Sequence, residues 1–325
     1  MNSQDLSTRG LLAKLTMNAW SARKYDRKIT EETNKSHGAT SDAGRYTKHL
    51  MPSDAATYKA LHSHISALRL THYGQTLPWS DEGWRLLPVK NYQAYTDLLR
   101  AGQHTFNRLR AEFLADYPAL KETAKQRLNG MFREDDYPSD LEGKYTIEIA
   151  YAPVPVASDF RVTLTDEEIG IIAARSEERV KAAFESAQLD AVNRLFEVLS
   201  RIRERLTTQN VCSNCNGTGQ ATETRNMVNK GATVPCWLCD GAGKTDATFR
   251  DSLIDNAREV CDVLTRLNVA DDPRLEDFRE QAAKLATVAP DTLRELPHVR
   301  EQTADRAQSI LDAMVATYGK GVLVG

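Results

Sequence analysis

Leu189-Asp-Ala-Val192-Asn-Arg-Leu195-Phe196-Glu-Val-Leu199-Ser-Arg-Ile202-Arg-Glu-Arg-Leu206 sets an apolar residue at every third or fourth position, the repeat of a helix with one buried face. A second stripe, Phe249, Leu253, Ala257, Val260, Leu264 and Leu267, repeats the pattern. Between them lie Cys212-Ser-Asn-Cys215-Asn-Gly217-Thr-Gly219 and Cys236-Trp-Leu-Cys239-Asp-Gly241-Ala-Gly243. Two matching stripes around a compact insert predict a long antiparallel helical hairpin with the insert at its tip. Cys261, at the edge of the second stripe, reads as a buried core thiol.

The insert reads C-x-x-C-x-G-x-G twice and holds four of the five cysteines. Four thiolates in two such pairs can close a tetrahedral cage, so Cys212, Cys215, Cys236 and Cys239 are expected to ligate one structural zinc ion. Iron in the same cage stays open. The glycines suit the sharp reversal after each second cysteine, where φ turns positive and backbone amides face sulfur. A disulfide pair would suit a secreted protein, but no signal peptide opens the sequence. A redox C-x-x-C needs a strand before it and a helix after it, which neither knuckle has. Gly243-Lys244-Thr245 imitates the end of a phosphate-binding loop, yet the glycine needed five residues earlier is Leu238.

Working outward, the chain divides into six expected parts. Residues 1–50 form a basic aromatic arm with a short helix over part of Leu11–Thr40, broken at His37-Gly38. Residues 51–143 are helical. One helix starts behind Ser53 as N-cap and runs to about Tyr73, and others span Tyr92–Leu114 and Pro118–Met131. The segment Leu77–Pro88 reads as an ordered loop with buried aromatics. Residues 144–165 alternate at period two in Tyr145–Tyr151 and again in Phe160–Leu164, which predicts a small β-hairpin. The helical hairpin takes residues 166–210 and 246–268, opening with a capping box at Thr165 and Glu168. The zinc ribbon takes 211–245. Residues 269–325 are C-terminal helices, one starting at Asp272-Pro273 and the last running from about Val299 to Tyr318. The fold class is mainly α with a zinc-ribbon insert and a β-hairpin.

Charge is uneven. Residues 1–110 hold 16 Lys+Arg against 9 Asp+Glu, residues 111–206 hold 13 against 19, and residues 246–325 hold 10 against 15. Arg23, Lys24, Arg27, Lys28, Lys35, Arg45 and Lys48 alternate with Trp20, Tyr25 and Tyr46. Cations neutralise phosphates and aromatic faces stack on bases, so this segment suits single-stranded nucleic acid. It also suits a solvated face, or one that meets the acidic half of another subunit in a head-to-tail homo-oligomer. Apolar runs fall far short of a membrane span, so a soluble, cytoplasmic protein with no membrane contact is expected.

No catalytic motif is present: the sequence has no His-Glu-x-x-His, no G-x-S-x-G and no dinucleotide fingerprint. Asp135-Asp136 beside a Tyr-Pro turn reads as a solvated acidic pair. His62 and His64, two apart on a helix, face different ways. A zinc ion with four thiolates has no open position, so the chain reads as a non-enzyme.

The knuckles resemble half of the cysteine-rich zinc domain of DnaJ-type co-chaperones, in which C-x-x-C-x-G-x-G recurs four times. The His-Pro-Asp tripeptide those proteins use on their ATPase partner is absent, so the resemblance implies a zinc-stapled β module and no co-chaperone activity. Ala22–Asp26, His37-Gly-Ala39, Asp42–Arg45, Thr76–Trp79, Arg85–Pro88, Tyr137–Asp140 and Asp159–Val162 are similar to the DUF3150-like family of uncharacterised bacteriophage and mobile-element proteins. That resemblance implies a gene neighbourhood of DNA metabolism and a MoxR-like AAA+ ATPase, within a bacterial host. Two functions follow as expectations. One is a zinc-stapled helical scaffold that binds nucleic acid, or oligomerises, in phage DNA metabolism. The other is an adaptor that presents its zinc tip to an AAA+ ATPase or a host protein, a host-defence antagonist among the possibilities.

Overall fold

The computed structural model describes residues 3–80, 82–156, 166–222, 233–319 and 323. It divides the chain into two compact units, Asn2–Arg161 and Val162–Gly325. The architecture is mainly α, with four small antiparallel sheets among the described residues.

In the N-terminal unit, α1 (Ser3–Arg9) leads into β1 (Gly10–Asn18), followed by β2 (Arg23–Tyr25), α2 (Arg27–Ser36), β3 (Thr47–His49) and α3 (Ala56–Gln75). Then come β4 (Leu77–Pro78), β5 (Arg85–Pro88), α4 (Tyr92–Leu128) and β6 (Thr146–Pro153). The main sheet runs β4-β5-β1-β6, with β1 paired to β5 from Gly10↔Pro88 and to β6 from Leu11↔Pro153 to Asn18↔Thr146. This corrects the expected helix in Leu11–Thr40: its first third is the central strand, and the helix is α2. The first arm of the expected hairpin is a strand over 146–153, and it pairs with β1. The proposed partner Phe160–Leu164 lies outside the described residues, as does Thr165 of the capping box.

Two further expectations change. The helix after Pro52 begins at Ala56, and its N-cap Ala55 makes no side-chain cap. Tyr92–Leu128 is one 37-residue helix with Pro118 inside it, where two helices were expected. Proline there removes a hydrogen bond and crowds the carbonyl of Leu114. The helix continues because its inner face carries Tyr95, Leu99, Phe106, Phe113, Ala124 and Leu128 into a core shared with Leu61, Ile65 and Leu68 of α3 and Ala13 and Leu87 of the sheet. Leu77–Pro88, expected as a loop with buried aromatics, supplies two short strands, and Trp79 and Trp84 are half-buried.

One buried cation ties this unit together. Lys48 on β3 is 2% exposed and reaches Asp26 at 3.1 Å, Asp136 at 2.6 Å and the Met131 carbonyl at 2.9 Å. Asp26 is also the N-cap of α2, accepting from the Ile29 amide at 3.2 Å. Asp136, expected to be solvated, is thereby an internal partner.

The C-terminal unit holds α5 (Asp166–Thr207), β7 (Gln209–Val211), β8 (Gln220–Thr222), β9 (Thr233–Pro235) and β10 (Lys244–Asp246). The helices α6 (Ser252–Leu267), α7 (Pro273–Leu285), α8 (Pro290–Glu295) and α9 (Pro297–Tyr318) follow. Helix α5 packs on α6, α7 and α9, so its apolar stripe serves several neighbours. Along α6 the buried residues are Ile254, Ala257, Cys261, Leu264 and Leu267. The stripe is therefore rotated from the expected one, with Cys261 inside it and Leu253 and Val260 at its edges. Asp272 caps α7 as expected, accepting from the Arg274 amide at 2.9 Å. Helix α9 ends at Gly319, whose φ is +89°.

Buried Arg300 on α9 donates to the carbonyls of Leu206 (2.8 Å), Arg205 (3.1 Å) and Ala247 (2.9 Å). It thus satisfies the open carbonyls at the end of α5 and favours that helix terminus electrostatically. Its guanidinium lies 5.7 Å from the Phe249 ring, and that of Arg294 lies 5.0 Å from the same ring.

Candidate metal centre

Each knuckle opens from a short strand and closes into another. The entry strand of the first pairs with the exit strand of the second, β7 with β10, and β8 pairs with β9 in the same way. Backbone bonds repeat this exchange: the Cys212 amide donates to the Gly243 carbonyl at 3.0 Å, and the Cys236 amide to the Gly219 carbonyl at 2.8 Å. The two halves are near copies in conformation too. Asn216, Gly217 and Gly219 have φ of +50°, +87° and +71°, and Asp240, Gly241 and Gly243 have +47°, +85° and +73°.

This backbone brings the four sulfurs together. All four cysteines are buried, and their Sγ atoms lie within 4.8 Å of one another. Cys212 and Cys236 are 3.7 Å apart at sulfur, as are Cys215 and Cys239. A disulfide would need about 2.05 Å. A tetrahedron with metal–sulfur bonds of about 2.3 Å has edges of about 3.75 Å, so the cage can hold a metal ion.

Amides face the sulfurs as they do around a thiolate-bound ion. The Gly243 amide donates to Cys239 Sγ at 3.2 Å, and the Asn214 side chain crosses from the first knuckle to Cys236 Sγ at 3.1 Å. The Asn214 amide leads in bringing the Cys236 thiol down to about 6, against the effect of burial. Burial pushes Cys239 up to about 11. Burial also works to raise Cys215, but bonds from Cys212 and from the Gly219 and Gly217 amides outweigh it, and that thiol is lowered. Thiols so close resist ionising together, and a bound cation removes the conflict.

Gly219 tests this geometry. A methyl at its Cα would sit on the Gly241 carbonyl oxygen, in a backbone conformation that L-residues rarely adopt. Gly217 has the same handedness, but a methyl there meets only the Val211 side chain, at 3.3 Å. Gly219→Ala is therefore expected to weaken metal affinity by at least about tenfold, and Gly217→Ala by less. Competition with a chromophoric chelator measures both, and equal losses would contradict the argument. Gly243 is explained by its place in the cage, and Lys244 and Thr245 lie on β10, so no phosphate loop forms there.

Of the basic residues singled out in the sequence, Lys24, Arg27 and Lys28 border one cavity with Tyr25, while Lys35 and Arg45 do not line it. Arg23, Lys24 and Tyr25 are exposed on β2, and Lys35, Arg45 and Tyr46 are exposed as well. Arg27 and Lys28 are engaged by Glu31 (2.6 Å) and Glu32 (3.8 Å) one helical turn on. Lys48 is buried in its ion triad and cannot reach an outside phosphate, which removes it from the candidate set. Trp20 is half-buried, edge-on to Tyr117 at 6.0 Å and to Tyr137 at 6.3 Å.

Neither histidine joins a metal cluster among the described residues: His62 bonds the Tyr145 hydroxyl at 3.2 Å, and His64 the Gly102 carbonyl at 2.8 Å. Sequence reasoning missed Asn214, whose only signal is a polar residue inside a C-x-x-C. It also missed Val211, Trp237 and Leu238, apolar side chains that are 66%, 61% and 42% exposed around the cage. No helix among the described residues is long and apolar enough to cross a membrane. Compared with protein-family models, curated proteins and solved structures, the chain matches none.

Proposed function

We propose that this protein is a non-enzymatic scaffold in which α5 and α6 form an antiparallel hairpin, and that a structural zinc ion in the four-cysteine module shapes its tip into a protein-docking surface. The observation that carries this reading is the exposure of Val211, Trp237 and Leu238 on a module otherwise knit by backbone bonds and thiols. Large aromatic and aliphatic side chains held out on a fixed backbone are the usual anchors of protein interfaces. With all four tetrahedral positions taken by sulfur, the ion has no place for substrate, and its part is to hold the loop. Zinc is the choice over iron because the cage requires no redox chemistry; metal analysis of purified protein should give one zinc per chain and no visible iron–thiolate absorption.

The resemblance to DUF3150-like proteins supplies the kind of partner: a protein of the same mobile element, with a MoxR-like AAA+ ATPase first, or a host protein. A photo-reactive residue in place of Leu238 tests the reading in producing cells. A discrete protein adduct is expected that disappears when Trp237→Ala is added, while zinc content stays at one per chain. No adduct, or the same adducts from a probe at exposed Lys35, would count against a docking tip.

A further inference from the structure

We infer that a cleft in the N-terminal unit binds the phosphodiester backbone of single-stranded nucleic acid. The cleft has a volume of about 1210 Å³ and runs past the end of β1, between β2, α3 and the turn at Glu142–Lys144. Four exposed cations from three separate elements face it: Arg23 and Lys24 from β2, Arg69 from α3 and Lys144 from the turn. None of the four is in an ion pair among the described residues. Two exposed arginines on α4 are by contrast held within their own helix, Arg100 by Asp97 (3.2 Å) and Arg108 by Glu112 (2.6 Å).

The acids on the wall do not cancel these charges. Asp135 and Asp136 line the cleft, and Asp136 is bound from behind by Lys48, which Asp26 shares. With all of these counted, the wall keeps two net positive charges. His62 adds no charge at neutral pH, because burial first, and Arg69 beside it, lower its pKa against the bond to the Trp20 carbonyl.

The site is elongated. A second cavity of about 320 Å³ shares Lys24 and Asp136 with the cleft and adds Arg27, Lys28, Lys48 and Arg133 against Asp26 and Glu31, so the excess of cations continues around Lys24. Aromatic faces accompany it. Tyr58 and His62 lie ring to ring at 4.1 Å in the cleft wall, and exposed Tyr25 borders the second cavity. Spaced cations beside ring faces, in a groove larger than a small-molecule pocket, are what a flexible strand of phosphates and bases requires.

Fluorescence anisotropy with a labelled 20-nucleotide single-stranded DNA tests the assignment on the full-length protein. Four phosphate contacts give a slope of about −2.8 in log affinity against log salt, or about a 50-fold loss between 50 and 200 mM. Arg69→Ala with Lys144→Ala removes two contacts, so the loss over the same range should shrink to about 7-fold. Both side chains are exposed, so circular dichroism should match the wild type. Lys35→Ala with Arg45→Ala, outside the cleft, should leave slope and affinity unchanged. Millimolar pyrophosphate separates the two sources of the shared chemistry. The inference stands if it competes only weakly, and a free phosphate compound is the ligand if it displaces the strand fully. The inference is overturned by absent binding at 50 mM salt, by unchanged binding in the Arg69/Lys144 variant, or by equal affinity for the matching duplex.

Discussion

Serine in place of both Cys215 and Cys239 leaves the protein without bound metal and opens the two knuckles with their strands β7–β10, while the helices around them stay folded. The module has little apolar packing to hold it: its strands are three residues long, and among the described residues Ala221 is the one partly buried apolar side chain packed against the four thiols. In small zinc modules the metal contributes about 10–16 kcal/mol of apparent binding free energy at neutral pH, and that free energy is the folding free energy of the loop. By contrast, α5, α6, α7 and α9 have their own buried faces, with Leu195, Leu199, Ile202, Ile254, Leu264, Phe278 and Ile310 among them. Metal analysis should fall from one ion per chain to none, and limited proteolysis should cut inside the module. The far-UV helical signal should persist, and chelation of the wild type should reproduce the same cleavage. A double-serine variant that retains metal, or one that loses its helices altogether, would show that the module has another role in the fold.

Lys48→Met destabilises the N-terminal unit by about 3–5 kcal/mol, the cost of leaving a buried ionic partner uncompensated. Here two carboxylates are left. Burial would raise Asp26, but the Ile29 amide and Lys48 outweigh it and hold its pKa below the ordinary 3.8. Burial would lower Lys48, but Asp136 and Asp26 outweigh it and hold its pKa above 10.5. The Asp26 contribution is therefore present above pH 3.8 and lost as pH falls through its depressed value. The Lys48 contribution is present below pH 10.5 and lost as pH rises through its raised value. Wild-type stability should thus form a plateau between about pH 4 and 10 from this triad. In Lys48→Met the acid side reverses, because protonation relieves the stranded Asp26. Urea unfolding followed by tryptophan emission measures this, since Trp20, Trp79 and Trp84 all lie in this unit. A midpoint equal to the wild type at pH 7 would refute the argument.

What could be read from the sequence followed how local each signal was. The four thiols were legible because ligand spacing and glycine placement sit within eight residues of each other. Helices α5, α7 and α9 were legible because a three-to-four repeat is a property of the segment itself. Strand β1 was not. Gly10–Asn18 is central in its sheet, and its run Leu11-Leu12-Ala13 hides the alternation that marks a strand with one solvated face. Pro118 misled because its local cost is visible in sequence, whereas the burial of Phe113 and Ala124 that offsets it belongs to tertiary packing. Lys48 misled most. Its partners Asp26 and Asp136 are distant along the chain, so nothing near it distinguishes an internal cation from one that faces solvent.

Arg300 has a consequence for biosynthesis. The carbonyl of Leu206 that it satisfies lies 94 residues earlier. At about 5–20 residues per second, roughly 5–20 s pass between translation of the two partners. Both knuckles are complete well before then, so metal can load while the end of α5 still lacks its arginine. The final helix then supplies the side chain that closes the end of α5.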